Sequence, residues 1–213
     1  MPRAGLSRAA VVDLAVAVVD EGGARGFDTL SLAAVASRAG VAVPSLYKHI
    51  GSLADLRREV AVVAVGELTD ALTAALTPVD VADIREHAAA PAQDAVARLG
   101  LTLRAYAHAH PGRYAATQVA PHPDSPDDEP LRRAAARTVE VVAAALGRST
   151  GGEGGRRDGS LLIHTVRTVR SAVHGFIVLE LGGGFGLPEN LDASFEHLLA
   201  TLSGGLRAGR TAT

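Results

Sequence analysis

The chain has 213 residues, 47% of them hydrophobic and only 3% aromatic, which suits an aliphatic core of packed helices in one large or two smaller domains. It has no cysteine, so disulfides, thiolate catalysis and zinc ribbons are excluded. No run nears the ~18 apolar residues of a membrane span. The net charge of −2 is unevenly placed: residues 1–58 hold seven Arg/Lys against five Asp/Glu, leaving −4 on the remainder.

The first apolar stretch contains Asp13 and ends in Asp20-Glu21, so it is no signal-peptide core, and a soluble, cytoplasmic protein is expected. Ser7 caps a first helix with Val11, Leu14, Ala15, Val18 and Val19 on one face, stopped by Gly22 and Gly23, with Gly26 extending the break. Ser31 caps a short second helix over 32–39, which Gly40 ends in a tight turn. Pro44 opens a third, over 44–50. The run from Ser52 to Asp55 reads as a capping box leading a long fourth helix to about residue 76, closed by Pro78. Further helices are expected at 80–87, 92–110, 111–119, 131–146, 160–181 and from 192 onward, the last capped by Asp192. The segment 121–130, with four prolines and four acids, reads as loop, and 147–159 as a Gly/Arg-rich connector.

The expected architecture is all-α, with about nine helices. A helix-turn-helix DNA-binding domain spans 1–55, a helical ligand-binding and dimerisation domain 56–208, and a disordered tail 209–213. Two short helices meeting at a glycine turn and braced by a third build a helix-turn-helix, whose second short helix enters the major groove. The small residues Ala42, Val43, Pro44 and Ser45 let the backbone approach base edges. Tyr47, Lys48 and His49 follow, all able to donate to phosphates or bases. At about 100° per residue, Leu46 and Ile50 share a face toward Val35 and Val41, while Ser45, Tyr47 and Lys48 point outward.

The run from Ala39 to Ile50, followed by Ser52-Leu-Ala-Asp-Leu56 and preceded by Leu32-Ala-Ala-Val-Ala36, resembles the TetR/AcrR family of transcription regulators. The resemblance implies phosphate contacts for Tyr47 and His49, and a place near the bases for Ala42, Val43, Pro44, Ser45 and Lys48. It also implies backbone contacts for Ser31 and Leu32. One departure is Leu53, where the family usually has a lysine. The segments 171–188 and 192–199 resemble the family's regulatory domain named for a Trp-His-Gly motif, with Val173 in place of the tryptophan ahead of His174 and Gly175.

In that family the last two helices pair with their copies in a second subunit. The apolar stripes Leu162, Val166, Val169, Val173 and Phe176, then Phe195, Leu198, Leu199, Leu202 and Leu206, would supply such an interface. Tyr106, His110, Tyr114, Gln118, Arg170 and His174 are candidates to line an effector cavity. His174 reads more readily as a satisfied core histidine near the interface, and Tyr106 and Tyr114 at least as readily as plain packing.

The partners implied are a pseudo-palindromic double-stranded DNA operator, a second copy of the chain and an unidentified small-molecule effector that releases a repressor. No membrane and no cofactor are implied. A regulator without small-molecule effector, constitutive or protein-controlled, is the alternative, and a helical enzyme the lesser one. His108 and His110 point about 200° apart on a helix, which disfavours a metal site. The glycines of 182–186 lack the third glycine of a dinucleotide fingerprint and follow no βαβ unit, and no Gly-x-Ser-x-Gly elbow exists.

Overall fold

The computed structural model describes residues 6–76, 95–149 and 159–211. Among them lie ten α-helices and no strand: α1 (Arg8–Glu21), α2 (Gly26–Thr29), α3 (Leu32–Ala39), α4 (Val43–Leu46), α5 (Leu53–Leu76), α6 (Ala95–Ala109), α7 (Pro111–Ala116), α8 (Glu129–Ser149), α9 (Gly159–Leu181) and α10 (Leu191–Thr211). The helix expected over 80–87, Pro78 and most of the Gly/Arg connector lie outside the described residues. Two compact units divide the chain. One comprises Met1–Glu67 with Tyr106–Ala136, the other Leu68–Ala105 with Arg137–Thr213.

The first unit is built on α1. Ser7 accepts the Ala10 N–H, and Val11, Ala15 and Val19 are fully buried beneath the helix. They share one cluster with Phe27, Leu30, Val35, Leu46, Ile50, Leu56 and Val60 from the elements that follow. Ala116 of α7 belongs to the same cluster, so the compact unit runs past residue 55 to Glu67 and also takes in residues 106–136. Glycine makes the α7 contact possible. A Cβ on Gly112 would stand 2.7 Å from the Gly23 carbonyl oxygen and 2.8 Å from that of Val19. Arg113 adds polar ties, pairing with Asp20 at the end of α1 and with Glu67 of α5 at 2.9 Å.

The second unit packs α9 on α10. Val169, Val173 and Ile177 of α9 and Phe195 and Leu199 of α10 are buried, and the Phe176 ring lies 5.0 Å from Phe195 and 4.7 Å from Phe185. Phe185 thus anchors the glycine-rich turn between the two helices. Arg104 of α6 sits 4.9 Å above the Phe195 ring and reaches Glu180 at 2.5 Å and Asp192 at 2.7 Å, joining the end of α9 to the start of α10.

Several boundaries differ from the sequence expectation for local reasons. The break after α1 contains a 3₁₀ turn, Gly23–Arg25, and the extra helix α2, because Phe27 and Leu30 must turn inward to reach the core. Asn190, not Asp192, caps α10 by accepting the Ala193 N–H at 3.0 Å, which leaves Asp192 for Arg104. That helix continues to Thr211, past the expected tail boundary at 208. The proline loop carries its own frame: the Asp128 carboxylate accepts the His122 N–H at 2.6 Å, and Arg132 donates to the carbonyls of His122 and Ser125.

Candidate nucleic-acid interface

The α3–turn–α4 unit is fixed at each joint by a local interaction. Ser31 accepts the Ala34 N–H at 3.2 Å and so starts α3. Gly40 ends it at φ 65°, a left-handed conformation that any Cβ disfavours, and the Val41 N–H returns to the Ala36 carbonyl at 3.0 Å. Pro44 in the first turn of α4 has no N–H to leave unpaired. The regular helix is shorter than the expected 44–50. It spans Val43–Leu46 and continues as a turn, with the N–H groups of His49 and Ile50 both donating to the Leu46 carbonyl. The chain leaves the helix because α5 begins at once, where Ser52 caps the Asp55 N–H and the Asp55 carboxylate accepts the Gly51 N–H, each at 3.0 Å.

This turn sorts the side chains by face. Leu46 and Ile50 are buried on Val35. Tyr47 is 55% exposed, Lys48, Ala42 and Pro44 are exposed, and Val43, Ser45 and His49 are half-buried at the rim. Leu32 is half-buried beside Ser31, whose hydroxyl is committed to the cap. Leu53 is half-buried against the unit's core, which accounts for an apolar residue there. Among the described residues of 6–60, Arg8, Arg38 and Arg58 are paired with acids, and Arg57 donates to the Asp28 carbonyl. Lys48 and Arg25 have no acid partner. The surface around Tyr47 and Lys48 therefore offers an uncompensated cation and a phenol hydroxyl to solvent.

Asp55 is held below the usual carboxylate range. Burial alone pushes it up, but the hydrogen bond from Arg8, the Gly51 N–H and the charges of Arg8 and Arg58 together reverse that. Arg8 was not among the residues singled out from sequence. The available signal was a cation in the first turn of a helix, where the macrodipole disfavours it.

The six cavity candidates divide between the units. Tyr106, His110, Tyr114 and Gln118 belong to the first, Arg170 and His174 to the second. The Tyr106 hydroxyl donates to Glu67 at 3.1 Å and to the Ala64 carbonyl at 3.3 Å, and its ring lies 5.3 Å from His110. Burial and then the Glu67 charge push this phenol up, so it stays protonated as a donor. Tyr114 is buried, Gln118 and Arg170 are exposed, and His174 is half-buried, with burial and the Arg170 charge lowering its proton affinity.

The ten candidate pairing residues also divide. Val169, Val173, Phe195 and Leu199 are buried within the chain itself, so a partner cannot reach them. Leu199 packs against Gly100 of α6 and Phe195 lies beneath Arg104 of α6, while Phe176 meets Phe195 between α9 and α10. Leu162, Val166, Phe176, Leu198, Leu202 and Leu206 are half-buried. The outward faces carry Val178 and Leu179 on α9, each 49% exposed, and the small residues Ala193, Ala200, Gly205 and Ala208 on α10.

Comparison with known proteins places both halves of the chain. Residues 19–60 match the model "Bacterial regulatory proteins, tetR family", and residues 96–202 match "Tetracyclin repressor-like, C-terminal domain". The chain is 32% identical to the HTH-type transcriptional regulator Rv0681 of Mycobacterium tuberculosis, over 98% of this chain and 85% of that protein. It is 29% identical to the HTH-type transcriptional regulator YobS of Bacillus subtilis, over 96% and 95%. Among solved structures it resembles the regulatory protein SCO4313, with a TM-score of 0.64 and 30% identity over 92% of this chain and 95% of that one. A TetR variant from Acinetobacter baumannii AYE in complex with minocycline shares the fold, with a TM-score of 0.61 at 18% identity over 97% and 99%.

Proposed function

The chain belongs to the TetR family of helix-turn-helix transcription regulators, not to an enzyme class, and on that premise we propose that it is a homodimeric repressor reading a pseudo-palindromic operator. The observation that carries this reading is the face opposite buried Leu46 and Ile50. There Tyr47 and Lys48 project into solvent with no acid partner for the lysine among the described residues. Tyr47 and His49 take phosphates. Lys48, Ser45, Pro44, Val43 and Ala42 lie along base edges, and the first turn of α3, at Ser31 and Leu32, approaches the backbone. DNA reading is assigned to residues 1–55, and effector binding and dimerisation to 56–208. Such a protein works in the cytoplasm, where the genome lies, and among the described residues no helix is long and apolar enough to cross a membrane.

The second copy pairs through the outward faces of α9 and α10, where small side chains let helices approach closely and Val178 and Leu179 supply apolar area. Two-fold symmetry then gives the operator its inverted repeat. A small-molecule effector favouring the DNA-incompetent arrangement by about 1–3 kcal/mol would weaken operator binding roughly 5- to 150-fold. The bond from Tyr106 to Glu67 and the Arg113 bridges support such coupling, because they fix α7 and the end of α6 to α1 and α5 within the first unit.

Fluorescence anisotropy with the duplex immediately upstream of the gene tests the reading. Lys48→Ala weakens binding and lowers the slope of log K against log salt by about one. Tyr47→Ala weakens binding with the dimer intact by sedimentation. Unchanged affinity in both variants defeats the placement of α4.

A further inference from the structure

Five hydrogen bonds leave one guanidinium at the base of the reading head. Arg8 Nη1 donates to the His49 carbonyl at 3.2 Å and to Asp55 Oδ2 at 3.2 Å. Its Nη2 reaches Asp55 Oδ1 at 2.8 Å and Glu59 Oε1 at 2.5 Å, and its Nε reaches Glu59 Oε1 at 3.1 Å. The acceptors come from two places: the last residue of the turn that completes α4, and two carboxylates one helical turn apart on α5. Asp55 is itself locked by the Gly51 N–H. Residues 49–51, the exit of the recognition element, are thus bracketed on both sides. As the first residue of α1, a helix with no acid in its first turn, Arg8 sits where a cation opposes the helix dipole, so its placement gains nothing for α1 itself. Only a planar fork of five donors can serve these acceptors together; a lysine offers a point charge.

We infer that Arg8 is a positioning residue for operator specificity, fixing the orientation of the 43–49 element against α5 without touching DNA. Its donors are spent on protein acceptors, and unlike Lys48 it is not a free cation at the groove. The inference rests on the DNA-reading function proposed above and makes a distinct claim. Loss of Arg8 tilts Ser45, Tyr47 and Lys48 relative to base edges, which weakens sequence discrimination. Binding to arbitrary DNA, carried by phosphate charge, is left as it was.

The test uses full-length protein and a duplex selected by the wild type from a randomised library, with poly(dI·dC) as the non-specific probe. Arg8→Gln lowers affinity for the selected duplex by about tenfold, the scale of a lost charge-assisted hydrogen bond. Affinity for poly(dI·dC) stays within about twofold and the salt slope for the selected duplex is unchanged. Arg8→Lys, which keeps the charge, also loses discrimination. It decides the matter if the glutamine variant fails to show wild-type helicity. A salt slope reduced by about one makes Arg8 a phosphate contact and overturns the inference. An equal loss on both probes makes it a general stabiliser, and unchanged discrimination in Arg8→Lys removes the need for the fork; either overturns it. A wild type that selects no sequence refutes the DNA-reading function itself, a different failure from a wild type that selects and a variant that matches it.

Discussion

Replacing Gly112 by alanine adds one methyl group where α7 meets the end of α1. That carbon would stand 2.7 Å from the Gly23 oxygen, 2.8 Å from the Val19 oxygen and 2.8 Å from Val19 Cγ1, against an ordinary contact of 3.4–4 Å. Two of the three neighbours are backbone, so no side-chain rotation relieves the overlap and α7 must withdraw by on the order of half an ångström. Overpacking of this kind costs about 1–3 kcal/mol. At roughly 2–4 °C per kcal/mol for a chain of this size, the melting temperature falls by several degrees. Gly66→Ala is the matched control. It lies inside α5 with nothing within 4 Å of the added carbon, so the better helix former stabilises by about 0.5–1 kcal/mol. Thermal unfolding followed at 222 nm compares the two. Shifts of the same sign, or a Gly112→Ala melt indistinguishable from wild type, refute the close approach of α7 to α1.

Two further outcomes follow from single side chains. Ser31→Ala removes the cap of α3 and lowers stability by about 1 kcal/mol, seen as a lower urea midpoint at unchanged slope; an unchanged midpoint denies the cap its role. His174 binds its proton less readily when folded, so the unfolded chain takes up more protons as pH falls below about 6.5 and stability declines there. The melting temperature of His174→Gln falls less than that of wild type between neutral pH and pH 5; parallel curves contradict the burial of that ring.

Much of the reading head was legible because its determinants are local. Ser7, Ser31, Gly40 and Ser52 each act within five residues. Helical periodicity finds Val11, Ala15 and Val19 of the inward face of α1, although Val12 and Val16 complete that face where Leu14 and Val18 are only partly buried. What escaped has two sources, competition between neighbouring local signals and long-range partners. The end of α4 is set by Leu46 accepting two N–H groups and by the cap of α5, which shorten a helix that propensity would extend. Arg8 acquires its partners 41 to 51 residues away. The stripes on α9 and α10 were correctly apolar, but periodicity does not say whether a stripe faces its neighbour or a second subunit. Val169, Val173, Phe195 and Leu199 are buried within the chain itself. Tyr106 gave no local sign that Glu67 would claim its hydroxyl.

Methylation interference on the selected duplex addresses the placement of the recognition element most directly. Dimethyl sulfate marks guanine N7 in the major groove and adenine N3 in the minor groove. If the turn carrying Ser45, Tyr47 and Lys48 enters the major groove, N7 methylation blocks binding at two symmetric clusters, and Lys48→Ala relieves the block at one base step in each. Interference confined to adenine N3, or none at either groove, contradicts it.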